Sequence, residues 1–336
     1  MRARRTIAHL SFVFLAIPAC LAAEVAAGAA LESAPGSAPS LDALRAACSP
    51  DAGPDAALPQ VQVRAIPAAP GDLPYVEARS GVTGASVRIY HDPDLADAAA
   101  SKAACFMGML DLLPAAVPEA RSQAAWSPMV ISRNHHYIPP KRDGELRWLN
   151  EFDSAAWSPR AIDMLVNVMP HEETHLLQGR NGARQPRWFQ EGHAEWAGLQ
   201  VTEQIRPDLA ADERARRRRD AQALAQPRLG AWGGLRVKPE AIERQLSAED
   251  RARRARDPSY VPPGPFSFKP EDMVEDNNDD EGRYGAALAL FDGLEARHGR
   301  AAVQAWVSAV LASSGKPDIR ALALQMLGED IGPLLR

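Results

Sequence analysis

The sequence predicts an α+β fold, in which a small β-sheet near the N-terminus is followed by a long helix and then by a mostly helical C-terminal lobe. Strand-like runs all lie before residue 153, and helical apolar periodicity dominates from residue 159 onward. The chain has 336 residues, of which 46% are hydrophobic, so it can bury a sizeable core. This length allows either two domains or one domain with a lobed cleft.

Residues 1–23 are predicted to form a signal peptide, because a start with three arginines precedes an apolar run over residues 12–23. The run is too short for a comfortable membrane span. Two alternatives stay open: a lipoprotein signal with Cys20 as the lipidated end, and a disordered or helical N-terminus without export. The expected location is periplasmic or extracellular, with no membrane span and with a lipid anchor at Cys20 as the minor alternative.

The charge pattern argues against nucleic acid as a partner. The formal net charge is −5, and removal of the signal peptide would make the protein more acidic. The arginine-rich runs at residues 214–219 and 251–256 are flanked by acids or alanines at helical spacing. We therefore expect these arginines to lie on solvated helix faces.

Residues 24–60 are predicted to be a low-complexity linker, rich in Ala, Ser, Pro and Gly, with one short helix over Leu41–Ala47. Residues 61–336 are expected to form the folded domain. Once the cysteine near the N-terminus is removed or lipidated, Cys48 and Cys105 form an even pair in an oxidising compartment. A disulfide between them is favoured over two unrelated buried thiols.

Strands prevail among the elements before residue 153. The run 85–91 shows the clearest alternation, with Val87 and Ile89 on one side and Arg88 and Tyr90 on the other. Three β-like runs, a helix and two further strand-like runs follow one another at residues 61–66, 75–79, 85–91, 95–113, 129–133 and 145–152. These runs predict a small sheet with one helix packed on it.

Helices dominate the rest of the chain. Two are predicted over Pro159–Gln178, which Gly179 ends, and Arg187–Ile205, which Pro186 opens. Residues 206–283 are charged and interrupted by proline, so they are predicted to be an insertion or a long loop region. A last helical block covers residues 284–298, 301–313 and Ile319–Leu327.

The motif that carries chemistry is His171-Glu172-Glu173-Thr174-His175, at the C-terminal end of the first of these helices. Residues four apart lie on one helix face, so both imidazoles can reach one Zn²⁺ ion. Zinc lowers the pKa of a bound water toward about 7, and Glu172 is placed to accept its proton as general base. The motif therefore predicts a zinc cofactor and a hydrolytic reaction.

The next helix supplies acidic residues that can complete the site. Glu191 and Glu195 lie one turn apart on one face, so one carboxylate can be the third zinc ligand while its neighbour supports a ligand histidine. His193 lies well round the helix from Glu191 and is predicted to be a rim residue rather than a ligand. The alternative is an ordinary amphipathic helix pair with solvated acids.

The pattern H-E-x-x-H followed by W-F-x-E-G-x-A-E resembles the gluzincin clan of zinc metallopeptidases, specifically its peptidase MA-like families. The resemblance implies Glu191 as the third ligand beside His171 and His175, and it places Glu195 at a position where relatives commonly have an acid. It spans about residues 85–312, and residues 206–283 match poorly within it. A metzincin motif is excluded because Gly and His are missing from the required positions after the second histidine.

The segment Tyr284-Gly285-Ala286-Ala287-Leu288 resembles the downstream helix of the same families, in which a tyrosine often faces the zinc. The resemblance implies that Tyr284 is a catalytic hydrogen-bond donor; packing on the core is the alternative. No G-x-M-E-N run is present, so recognition of a substrate's N-terminus as in aminopeptidases is not supported. In relatives the strand before the active-site helix pairs with extended substrate, and either residues 129–133 or residues 145–152 could fill that place.

The expected function is zinc-dependent hydrolysis of peptide bonds in a peptide or protein substrate, with the zinc in the cleft between sheet and helical lobe. A non-catalytic, zinc-stabilised binding module with a similar fold is the alternative. Glu172 argues against it, because a structural site needs no base and is normally closed by four protein ligands. The His135-His136 pair has no second spaced ligand pair and is predicted to lie at the surface or the cleft edge, and the acidic segment 275–282 is predicted to be a solvated loop.

Overall fold

The computed structural model describes residues 40–49, 51–52, 58–133, 137–140, 150–152, 159–257 and 260–336. The predicted signal peptide with Cys20, the His135-His136 pair and the first part of the predicted strand 145–152 lie outside these residues. Within the described ranges, no helix combines the length and the apolar character that a bilayer crossing requires.

In the described part of the chain, five strands form one mixed sheet in the order β1-β2-β3-β4-β5. These strands are β1 Val61–Ile66, β2 Tyr75–Ser80, β3 Ser86–His91, β4 Met129–Ile131 and β5 Asn150–Phe152. The first three form an antiparallel meander, whereas β4 runs parallel to both β3 and β5. Within the described residues β4 is paired on both sides, whereas β1 and β5 are the two edge strands of this sheet.

The helix α2, Ala96–Ala116, connects β3 to β4 and packs on β1, β2 and β3. A parallel pair needs such a crossover, because its two strands must enter the sheet from the same end. The short predicted helix is present as α1, Leu41–Ala47, and its Leu44 is fully buried against α2. The N-terminal half is therefore a sheet covered by helices, and the predicted α+β class is confirmed.

Cys48 and Cys105 are joined by a disulfide, as predicted, and this bond ties the end of α1 to the middle of α2. The bond closes a segment with a sequence separation of 57 residues. Loop-closure entropy for a segment of this length corresponds to about 4 kcal/mol of stabilisation.

We expect the paired substitution Cys48→Ala with Cys105→Ala to lower the free energy of unfolding by up to about 4 kcal/mol, because the unfolded chain then regains its loop entropy. Urea denaturation of the two proteins measures this difference. A reductant should destabilise the wild type by a similar amount and leave the paired variant unchanged. Free thiols that titrate in the unreduced, denatured wild-type protein would show that the bond is absent.

The second half of the chain is mostly helical, as predicted. The two helices that contain the motif residues have the predicted bounds, α3 Pro159–Gln178 and α4 Arg187–Ile205. The later helices are α5 Pro207–Gln222, α6 Pro239–Gln245, α7 Ala248–Arg256, α8 Asp280–His298, α9 Arg300–Ala312 and α10 Ile319–Leu327. The strands β6 Leu235–Val237 and β7 Met273–Glu275 pair antiparallel in a separate two-stranded sheet.

Residues 206–283 are not a long loop, which corrects one alternative of the prediction; the other, an insertion, stays a prediction. They contain α5, α6, α7 and the β6–β7 pair, and α5 packs along α8. The acidic segment 275–282 is not simply a solvated loop either, since Asp276 is buried and lies 3.2 Å from Arg283. Proline and charge favour a loop when the sequence is considered alone, but Pro207 and Pro239 each begin a helix, where the missing N–H costs nothing.

Two glycines allow the helices around the motif to approach closely. A Cβ atom on Gly198 of α4 would lie 3.0 Å from the backbone nitrogen of His171, so α4 packs directly against the start of the motif. A Cβ atom on Gly285 of α8 would overlap the carbonyl oxygen of Arg217 on α5. These contacts bring α3, α4, α5 and α8 together at one place.

Candidate metal centre

Three candidate ligands converge where α3 packs on α4. His171 and His175 lie in the last two turns of α3, and Glu191 lies near the start of α4. The two Nε2 atoms are 3.0 Å apart, and Glu191 Oε2 lies 3.5 Å from the Nε2 of His171 and 3.2 Å from that of His175. One ligand atom from each residue falls within 4.8 Å of the others, so the group could hold a metal ion.

The spacing of these atoms fits a small tetrahedral ion. Ligands at about 2.0–2.1 Å from zinc are separated from one another by about 3.3 Å, close to the observed distances. Glu191 Oε2 is buried yet makes no regular hydrogen bond within the described residues. A buried carboxylate oxygen beside two imidazole nitrogens needs a cation or a shared proton to be stable. The donor set therefore fits a metal ion.

The charges of the metal-free site are strongly coupled. Burial lowers the pKa of His175, but hydrogen bonding and attraction to the Glu191 carboxylate outweigh it and raise that pKa to about 9. Burial also raises the pKa of Glu191, and the two histidines outweigh this and hold it well below its usual range. A proton thus remains on His175 at neutral pH, in the position that a metal ion would take.

Glu172 lies beside the ligands without being one of them. It is half-buried, and its charge contributes to the raised pKa of His175. Its Oε2 is buried and has no hydrogen-bond partner among the described residues. A carboxylate oxygen without a hydrogen-bond partner, next to a candidate metal site, is available for a proton or a water molecule.

Glu195 stands behind His171, one turn after Glu191. Its Oε1 lies 3.8 Å from His171 Nδ1, the nitrogen on the far side of the ring from the other ligands. The guanidinium of Arg217 on α5 forms an ion pair with the same oxygen. Glu195 therefore occupies the predicted supporting position, and Arg217 restrains it there.

Sequence reasoning did not identify Arg217. The arginine run 214–219 does form a helix, as predicted, but two of its residues are not on a solvated face. Arg217 pairs with Glu195 and lies 4.9 Å over the ring of Tyr284, and Arg214 lies 2.7 Å from Asp292. No local signal separates Arg217 from its neighbours, because its contacts depend on the packing of α5 against α4 and α8.

Tyr284 lies in the first two turns of α8 and faces the ligands. Its ring centroid is 6.4 Å from that of His171, and Trp232 packs edge-on against it at 5.1 Å. Burial first, and then the negative charge of Glu191, raise the pKa of Tyr284, so its hydroxyl keeps its proton. Tyr284 also packs against the core, so location alone agrees with both a catalytic role and a packing role.

Arg187 is a second residue that the sequence did not reveal. Its Nε lies 3.7 Å from Glu191 Oε1, and its side chain also contacts Asp280 at 3.2 Å and Asn277 at 2.7 Å. The guanidinium packs 5.0 Å from the ring of Trp232. Arg187 thus places a positive charge beside Glu191 Oε1, at ion-pair rather than hydrogen-bond distance.

His193 is not a rim residue, which corrects the prediction. It is fully buried among aromatic rings, with Phe189, Phe291 and Trp196 at centroid distances of 5.9, 6.2 and 6.3 Å. Burial lowers its pKa to about 3. The angle of His193 around α4 predicts an exposed side chain, but every residue of this helix from 192 to 202 is buried.

A scan against models of protein families finds no match to this chain, and a search of curated proteins finds no similar sequence. Function is therefore inferred from the site itself, which brings two imidazole nitrogens, one carboxylate oxygen and a neighbouring free carboxylate oxygen together.

Proposed function

We propose that the protein is an exported, zinc-dependent metallopeptidase. The observation that supports this most strongly is the convergence of His171, His175 and Glu191, with a free oxygen of Glu172 beside them. The Cys48–Cys105 disulfide supports export, because such bonds persist in oxidising compartments.

The choice of zinc follows from the donor atoms. Two imidazoles and one carboxylate suit zinc, whereas calcium and magnesium prefer oxygen ligands. Three protein ligands leave a coordination position open, as in hydrolytic sites. When bound, zinc supplies Lewis acidity, which lowers the pKa of water and polarises a substrate carbonyl.

The chain's own residues have distinct roles in this reaction. Glu172 accepts a proton from the attacking water on its free oxygen and later delivers it to the departing amine. Tyr284 donates a hydrogen bond from its phenolic oxygen to the oxyanion that develops on the carbonyl. Glu195, restrained by Arg217, orients His171 through its Nδ1 side.

The sheet provides a place for an extended substrate. Of the two candidate strands, β4 is paired on both sides, so β5 is the one with an edge available for pairing. Residues 150–152 also form the strand before α3 in the chain, and residues 153–158 lie between the two. A peptide that pairs with β5 by main-chain hydrogen bonds is the substrate class that we propose.

Metal content and activity of the purified protein test this proposal. We expect one zinc per chain and cleavage of unfolded casein, with loss of both after dialysis against a chelator and recovery of both on addition of zinc. Calcium and magnesium should not restore cleavage. Preparations that retain full activity after complete removal of zinc would contradict the proposal.

Tyr284→Phe is expected to reduce kcat by about 10²–10³-fold with little change in KM, because it removes a donor to the oxyanion and keeps the ring. Steady-state kinetics on one peptide substrate measure the effect, and zinc content and thermal stability should stay near those of the wild type. An unchanged kcat would assign Tyr284 to packing, and the donor would then have to be another residue.

A further inference from the structure

The side-chain amide of Gln178 connects one candidate ligand to two groups behind it. Gln178 is buried at the end of α3, three residues after His175. Its Nε2 lies 2.8 Å from the backbone oxygen of Gln190 and 3.0 Å from His193 Nδ1, while its Oε1 lies 2.9 Å from His175 Nδ1. All three polar contacts are of hydrogen-bond length.

The backbone oxygen of Gln190 decides which way this amide points. A carbonyl oxygen only accepts hydrogen bonds, so the atom of Gln178 that faces it must be the NH₂ group. The amide oxygen must then face His175, and it too only accepts. His175 therefore carries a proton on Nδ1, and once that ring is neutral its Nε2 presents a lone pair toward His171 and Glu191.

The orientation of the Gln178 amide also fixes the position of the proton on His193. Its Nδ1 faces the second hydrogen of the Gln178 NH₂ group, so this nitrogen must be an unprotonated acceptor. The proton of the neutral ring is then on Nε2, which is buried and makes no hydrogen bond within the described residues. Aromatic rings surround His193, and within the described residues its ring makes a hydrogen bond only at Nδ1.

We propose that Gln178, held by the backbone oxygen of Gln190 and by His193, is a positioning residue that sets the tautomer and ring orientation of His175 for metal binding. This proposal rests on the metal site described above. It gives each ligand histidine its own support: charged Glu195 lies behind His171, and a neutral amide lies behind His175.

A neutral amide is the group that this position requires. A glutamate would still accept from His175 Nδ1, but its second oxygen would face the Gln190 oxygen and His193 Nδ1, both of which are acceptors. It would also add a negative charge to a site that already contains Glu172, Glu191 and Glu195. A glutamine side chain supplies an acceptor toward His175 and two donors, one toward the Gln190 oxygen and one toward His193.

The test compares two glutamines of equal burial. Gln178→Met removes the amide and keeps the length of the side chain. Gln200→Met is the matched control, since Gln200 is buried on α4 and donates to the Trp196 backbone oxygen at 3.3 Å, away from the ligands. Zinc affinity is measured by competition with a chromophoric chelator, and stability of the metal-free proteins by urea denaturation.

We expect both substitutions to lower the stability of the metal-free protein, but only Gln178→Met to weaken zinc binding, by about 10–100-fold. Affinity within about twofold of the wild type in Gln178→Met, or an equal loss in Gln200→Met, would overturn the proposal. A wild type that binds no zinc would instead contradict the proposed function.

A measurement on the unchanged protein keeps the proposal testable if Gln178→Met does not fold. Long-range proton–nitrogen NMR spectra of the zinc-loaded wild type report which ring nitrogen of each histidine carries the proton. We expect His175 to be protonated on Nδ1 and His193 on Nε2. A spectrum with the His193 proton on Nδ1 would show that the amide points the other way and would overturn the proposal.

Discussion

Glu172→Gln is expected to leave zinc bound while peptide hydrolysis falls by about 10²–10⁴-fold, the usual contribution of a positioned general base. The amide has the same size as the carboxylate but cannot accept a proton from the attacking water. Because Glu172 is not one of the three converging ligands, the metal should remain. Zinc content by elemental analysis and kcat on a fluorogenic peptide measure the two effects separately.

An exposed glutamate on the next helix provides the control for this experiment. Glu203 on α4 has a side chain that is 57% exposed and approaches Arg214 only at 4.0 Å. Glu203→Gln should therefore match the wild type in zinc content, stability and kcat. If Glu172→Gln also retained wild-type kcat, the base would have to be another group.

Glu191→Ala is expected to have the second largest effect, because it removes one of the three candidate ligands. Zinc affinity should fall by more than about 100-fold, which is the upper range for residues that only support a ligand. In the metal-free variant, the pKa of His175 should also fall from about 9. Burial lowers this pKa, and the hydrogen bond and charge of Glu191, which raise it, are then missing. Chelator competition and NMR titration measure these two changes.

Glu195→Ala offers a graded comparison with Glu191→Ala. Glu195 contacts the far side of His171 rather than the position between the ligands, so we expect a loss of affinity of only about 10–100-fold. A Glu191→Ala protein that still bound one zinc per chain would show that the ligand assignment is wrong. If Glu195→Ala caused the larger loss of zinc affinity and Glu191→Ala the smaller, Glu195 would be the ligand.

The regular elements could be predicted because their signals are local. Helices α3 and α4 agree with the predicted bounds, since Gly179 and Pro186 mark one end of each and apolar spacing covers the rest. The convergence of His171, His175 and Glu191 could be predicted as well. The two histidines share one helix face, and the next helix offers Glu191 and Glu195 as candidates for the third ligand. The resemblance to the gluzincins, rather than the spacing, selects Glu191, and this is the carboxylate that lies beside both histidines.

The supporting residues could not be predicted, because their roles arise from contacts between distant parts of the chain. Arg217 reaches Glu195 because α5 packs against α4, and Gly285 lets α8 approach α5 closely at the same residue. His193 is buried because later helices cover its face of α4. Phe291 of α8 packs near His193, and Trp306 of α9 packs near Phe189. Helical periodicity describes the faces of one helix but not which of them a later helix covers.

The central claim is that this chain hydrolyses peptide bonds with a bound zinc ion. Its most direct test incubates the zinc-loaded protein, without residues 1–23, with a mixed peptide library in heavy-oxygen water and analyses the products by mass spectrometry. We predict new C-termini that carry one heavy oxygen atom, that depend on zinc and that are absent with Glu172→Gln. A protein that binds zinc at His171, His175 and Glu191 yet yields no labelled termini at any peptide would contradict this claim, and it would indicate a zinc-stabilised binding module.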